Sequence, residues 1–99
     1  MRPIRLAHLE KTRPVLVLTR EVALGVLTNV TIAPITSHVR GLATEVEVGP
    51  DNGLDQRGAV SCDNIVTVPA STLGRHLGFL LPSQEPQLSD AIAAAFDLE

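Results

Sequence analysis

Lys11-Thr12-Arg13-Pro14-Val15-Leu16-Val17-Leu18-Thr19-Arg20 sets a guanidinium at the mouth of a short apolar run. Successive strand side chains point to opposite faces, so Val15 to Leu18 present apolar groups on both, and such a strand must be buried on both sides. Arg13 stands where that strand leaves solvent and is a fixed positive charge there. Working outward, Pro3 to Leu9 is a first strand, only a few polar residues separate it from the Arg13 to Thr19 strand, and the two make a hairpin. Thr28 to Pro34 has the β-branched content of a third strand, and Ala33-Pro34-Ile35-Thr36-Ser37 closes it on two hydroxyls. Adjacent antiparallel strands bring the start of one beside the end of the next, so Arg13 and Thr36 fall on one rim, an arrangement suited to a phosphate.

The rest of the chain continues in strands. Thr44 to Val48 alternates as a half-exposed strand, Gly49 to Gly58 is a turn-rich loop, and Ala59 to Val68 resumes strand character with a polar interruption at Asp63-Asn64 that reads as a bulge or a functional demand. Ser71 to His76 is expected to be a helical turn, followed by a last strand over Leu77 to Leu81. The terminal segment is a helix capped by Ser83, with Pro86 in its first turn. Leu88, Ala91, Ile92, Ala95 and Phe96 form its buried stripe. Strands dominate and one helix packs on them, so a small antiparallel barrel, closed or nearly so, is the natural way to hide the sheet edges.

Composition narrows the function. At 99 residues the chain is one domain, residues 1–99, and a chain of this size buries only about two-thirds of its unfolded surface, so a partner subunit would help. Two phenylalanines are the only aromatics, which removes base stacking as the main source of affinity. The net charge of −3 argues against a general nucleic-acid coat protein, yet five of the eight basic residues lie in the first twenty, so a local basic site is available. Cys62 stands alone, which forbids an intrachain disulfide and fits a reducing, cytoplasmic setting. His8, His38 and His76 have no metal-ligand spacing, and no metal or other cofactor is expected. No apolar run is long enough to span a bilayer, and the N-terminus lacks the apolar block of a signal peptide.

At these residues the chain resembles the MazF and PemK family of toxin endoribonucleases, and its mycobacterial branch in particular. The resemblance is carried by Thr12 to Val17, Ala33 to Ser37, Gly53-Leu54, Ala59-Val60-Ser61-Cys62-Asp63-Asn64-Ile65, and Leu77-Gly78 before the final helix, in the family's order. It implies a small SH3-like barrel of the kind shared with the gyrase poison CcdB. It also implies sequence-selective, metal-independent cleavage of single-stranded RNA by a homodimer, leaving a 2′,3′-cyclic phosphate and a 5′-hydroxyl, with Arg13 and Thr36 as the catalytic pair. Ser37, His38 and Asn64 are further candidates for catalysis or substrate binding, His38 as a proton carrier beside Thr36. Lys11, Arg20 and Arg40 are candidates for holding RNA. A cognate MazE-like antitoxin with an acidic tail is the implied partner. The chain departs from the family at its start, where relatives carry a long mobile loop before the arginine and this sequence has only ten residues before Lys11. The rival reading is a non-enzymatic, CcdB-like topoisomerase poison acting through the terminal helix.

Overall fold

Leu16 enters one apolar cluster while its neighbours Val15 and Val17 enter another, and all three are fully buried. That division, dictated by the two-residue period of a strand, is what gives the molecule two cores on either side of one sheet. The computed structural model describes residues 1–98. Its strands are β1 (Pro3–His8), β2 (Thr12–Val17), β3 (Asn29–Thr36), β4 (Glu45–Val48), β5 (Gly58–Ser61), β6 (Val66–Pro69) and β7 (Leu73–Phe79), followed by helix α1 (Glu85–Phe96). The strand order is β4-β5-β3-β2-β1-β7, with β6 also paired to β3, in a curled antiparallel sheet that forms a half-barrel.

β3 is the spine of this sheet. Ile32 to Pro34 pair with β2, Asn29 to Ile32 pair with β6, and Ile35 and Thr36 pair with β5. The polar Asp63-Asn64 interruption is neither a bulge nor a break in the fold. It belongs to a 3-10 turn, Cys62–Asn64, that steps the chain from β5 to β6 along β3.

β4 and β7, the outermost strands, are joined through two side-chain amides. Asn52, only 2 % exposed, donates from Nδ2 to the Phe79 carbonyl of β7 at 3.0 Å and to Gln84 Oε1 at 2.7 Å. Gln84 Nε2 in turn donates to the Glu47 carbonyl of β4 at 3.1 Å. Backbone groups at the two sheet edges are thereby satisfied without a strand-to-strand ladder. Beside this bridge, Gly53 at φ +86° and Gly78 meet backbone to backbone, and a Cβ on either would overlap the other segment's main chain. Only glycine permits that approach.

Two boundaries differ from those expected. The helical turn is Ala70–Thr72, and β7 begins at Leu73 rather than Leu77. Ser83 lies inside a 3-10 turn, Pro82–Gln84, and makes no capping bond; Gln84 occupies the N-cap position and spends its side chain on the bridge to Asn52. On α1, Leu88 and Ala91 are buried and Ile92 and Ala95 pack against the first core, but Phe96 is 56 % exposed. Cys62 is buried among the apolar residues of that core, and burial followed by the nearby Asp63 charge pushes its thiol pKa up.

Candidate active site

Arg13 and Thr36 are placed by the register of β2 on β3. Val15 pairs with Pro34, Leu16 with Ala33 and Val17 with Ile32. Beyond that pairing β3 turns to pair with β5 at Ile35 and Thr36, so Arg13 and Thr36 lie at the adjoining ends of the two strands. Both residues line a cleft of about 570 Å³ at this end of the sheet. β1 and β2 are joined by only Leu9, Glu10 and Lys11, so nothing long arches over the opening, and Lys11 itself lines the cleft.

The Thr36 hydroxyl is oriented by its own chain. Its Oγ1 accepts the backbone N–H of His38 at 3.0 Å, which occupies a lone pair and leaves the hydroxyl proton free to donate outward. Ser37 also lines the cleft, whereas His38, exposed just beyond it, does not. The backbone N–H groups of Arg40, Gly41 and Leu42 all donate to Glu45 Oε1, so a carboxylate organises that loop away from the cleft. Arg40 is exposed on it and does not line the cleft. Asn64 is exposed on the 3-10 turn, where its Nδ2 donates to Ser61 Oγ at 2.7 Å. Arg20 lies beyond the other end of β2, in a separate shallow groove with Arg2, Glu21 and Glu85.

The barrel's curl adds residues that no local pattern in the sequence singled out. The segment after Gly53 brings Asp55, Gln56 and Arg57 to one wall, and β7 brings Arg75 and His76 to another. Lys11, Arg13, Arg57 and Arg75 thus share the cleft with Asp55, the one carboxylate among the lining residues. Arg57 is held at the rim by Glu47, to whose Oε1 its Nη2 donates at 2.5 Å. Among the described residues, Lys11, Arg13 and Arg75 make no ion pair, while Arg2 is bound to Glu85 and Arg5 to the Gly74 carbonyl. The N-terminal basic cluster therefore divides, with Arg2 and Arg5 bracing the fold and Lys11 and Arg13 left for a ligand. Unpaired cations around a donor hydroxyl favour a phosphate-bearing ligand.

Comparisons with known proteins give the class to which this curled antiparallel sheet and its cleft belong. The model of the PemK-like, MazF-like toxins of type II toxin–antitoxin systems matches residues 3–96. The Mycobacterium tuberculosis endoribonuclease MazF3 is 63% identical over 99 residues, covering 100% of this chain and 96% of that protein. The solved structure of the M. tuberculosis toxin MazF-mt6 superposes with a TM-score of 0.96 at 62% identity, over 99% of each chain. An endoribonuclease from a mycobacterial species, solved in complex with its cognate antitoxin, follows with a TM-score of 0.87 at 26% identity, over 98% of this chain and 93% of that one. The chain belongs to the PemK-like, MazF-like toxin family, and the curated members aligned with it are named as MazF endoribonucleases.

Proposed function

We propose that this MazF-type toxin endoribonuclease cuts single-stranded RNA without a metal ion, by attack of a ribose 2′-hydroxyl on the neighbouring phosphorus. The observation that supports this reading is that Arg13 and Thr36, at adjoining ends of the paired strands β2 and β3, line one cleft with unpaired cations. RNA brings its own nucleophile, so the protein has to align and stabilise rather than supply one. The planar fork of Arg13 binds two phosphate oxygens and offsets the charge that builds up in the transition state, and Thr36 donates a further hydrogen bond to it. Ser37 adds a hydroxyl at the same wall, while Lys11 and Arg75 hold neighbouring phosphates. The products are a 2′,3′-cyclic phosphate and a 5′-hydroxyl.

The active form is a homodimer in the cytoplasm, in which a second subunit extends the cleft. A MazE-like antitoxin inhibits it by laying an acidic segment along Lys11, Arg13 and Arg75, where charge complementarity both steers and holds it.

Arg13→Ala tests the reading. Purified wild-type protein in EDTA should cut RNA to 5′-hydroxyl ends, and Arg13→Ala should lose about 10²- to 10³-fold, the usual cost of removing one preorganised donor. Cleavage by Arg13→Ala at the wild-type rate would remove Arg13 from the mechanism. Toxicity that survives Arg13→Ala but vanishes when exposed Phe96 or Leu98 is changed would favour a topoisomerase poison instead.

A further inference from the structure

β7 passes the cleft with two irregularities. Its pairing with β1 shifts register between Ile4 and Arg5 and again between Arg5 and Ala7, so single extra residues are accommodated on either side of His76. Bulges re-aim side chains, and this pair explains how Arg75 and His76, adjacent and therefore expected on opposite faces, both line the cleft. The His76 ring is further set by Phe79, whose centroid lies 4.6 Å away at a 59° tilt.

The cleft is rich in donors and poor in acceptors. Lys11, Arg13, Arg57 and Arg75 only donate, and Thr36 Oγ1 already accepts the His38 amide. Attack by a 2′-hydroxyl requires a group that takes its proton, which none of these cations does. Two candidates line the cleft, Asp55 and His76. A carboxylate is in general a weak base at neutral pH, whereas an imidazole is the side chain suited to proton transfer there.

We propose that His76 is the general base of the cleavage, an inference that rests on the RNA-cleavage reading above. The unprotonated ring nitrogen accepts the 2′-hydroxyl proton as the O2′–P bond forms. The P–O5′ bond breaks with its electron pair left on the 5′-oxygen, which takes a proton from water. The imidazolium then returns its proton to the hydroxide so produced, and the ring is ready again. The charged groups that share the cleft with His76 are Lys11 and Arg13 from the first hairpin, Asp55 and Arg57 from the segment after Gly53, and Arg75 on its own strand, and Arg5 is its register partner on β1.

The test is single-turnover cleavage of a short single-stranded RNA by wild type, Arg13→Ala, Asp55→Asn and His76→Ala, with folding checked by circular dichroism. His76→Ala should lose about 10²-fold or more in rate with little change in RNA affinity, added imidazole should restore part of the rate, and the acid limb of the pH–rate profile should disappear. Asp55→Asn should keep that limb. An active His76→Ala beside an inactive Arg13→Ala overturns the assignment of His76 and leaves the RNA reading standing. Wild-type rates in both variants remove both residues from the mechanism, and absence of RNA cleavage by the wild type overturns the RNA reading itself. A slow His76→Ala that imidazole does not restore, with its acid limb intact, also overturns the assignment and makes the ring a wall of the cleft.

Discussion

A Cβ built on Gly58 stands 2.7 Å from the carbonyl oxygen of Thr36. Gly58 opens β5, which pairs beneath the end of β3, so the missing side chain is what lets β5 lie close enough to hold Thr36 in place. Gly58→Ala must push the two strands apart. It should destabilise by about 1–3 kcal/mol, the usual cost of overpacking, and should lower RNA cleavage by more than the folded fraction falls. Urea denaturation beside a rate measured on the folded fraction separates the two effects.

The Asn52–Gln84 bridge should behave as one unit. Asn52→Ala orphans the Phe79 carbonyl and the Gly49 N–H, which Asn52 Oδ1 accepts at 3.0 Å, and leaving buried groups unpaired costs about 1–3 kcal/mol. Gln84→Ala removes the acceptor for the Leu81 N–H at 2.8 Å and the donor to Glu47. Because both remove the same link between the sheet's outer strands, the double variant should be less destabilised than the sum of the single ones, by about 0.5–3 kcal/mol. Additivity in urea titrations would show that the two amides act separately.

The sequence made legible what short-range periodicity encodes. β1 and β3 carry apolar residues at a two-residue period, β2 is a short unbroken apolar run, α1 carries Leu88 and Ala91 at helical spacing, and the hairpin logic brings Arg13, Thr36, Ser37 and Lys11 together. β7 hid its start because Gly74 and Gly78 are poor strand formers and its two register shifts destroy the alternation. Asp55, Arg57, Arg75 and His76 were beyond local reading, since only the curl of the barrel brings β7 and the Gly53–Gly58 segment to the Arg13 wall. Phe96 shows the opposite failure: helical spacing placed it in the stripe, but the core takes up Ile92 and Ala95 and leaves Phe96 exposed.

Cys62 should be chemically silent until the protein unfolds. Its thiol is 1 % exposed, and burial first and the Asp63 charge second raise its pKa, so little thiolate forms at mildly alkaline pH and reagents cannot reach it. Alkylation in native buffer should proceed at the rate of global opening and accelerate sharply in urea. Fast labelling of the native protein with retained activity would show that the thiol is accessible.

Glu47 pairs with Arg57 at the rim of the cleft, and this pairing should act as a brake on RNA binding. Hydrogen bonding and then the charge of Arg57 lower the Glu47 pKa, and Glu47 raises that of Arg57. A carboxyl lowered in the folded state stabilises above its unfolded range and loses that contribution as pH falls through its folded one, so the pair is intact at neutral pH. Both partners are exposed, and their contribution to stability is small. The larger consequence concerns the ligand. Glu47→Gln should release Arg57 toward the cleft it lines, adding one phosphate contact and steepening the salt dependence of RNA binding by about 0.7 in log–log slope. Fluorescence anisotropy with an RNA made uncleavable by a 2′-deoxy sugar should show tighter binding by the variant at low salt. As pH falls below the carboxylate range, wild-type affinity should rise toward that of Glu47→Gln. Equal salt slopes for the two proteins would mean that Arg57 never leaves the rim.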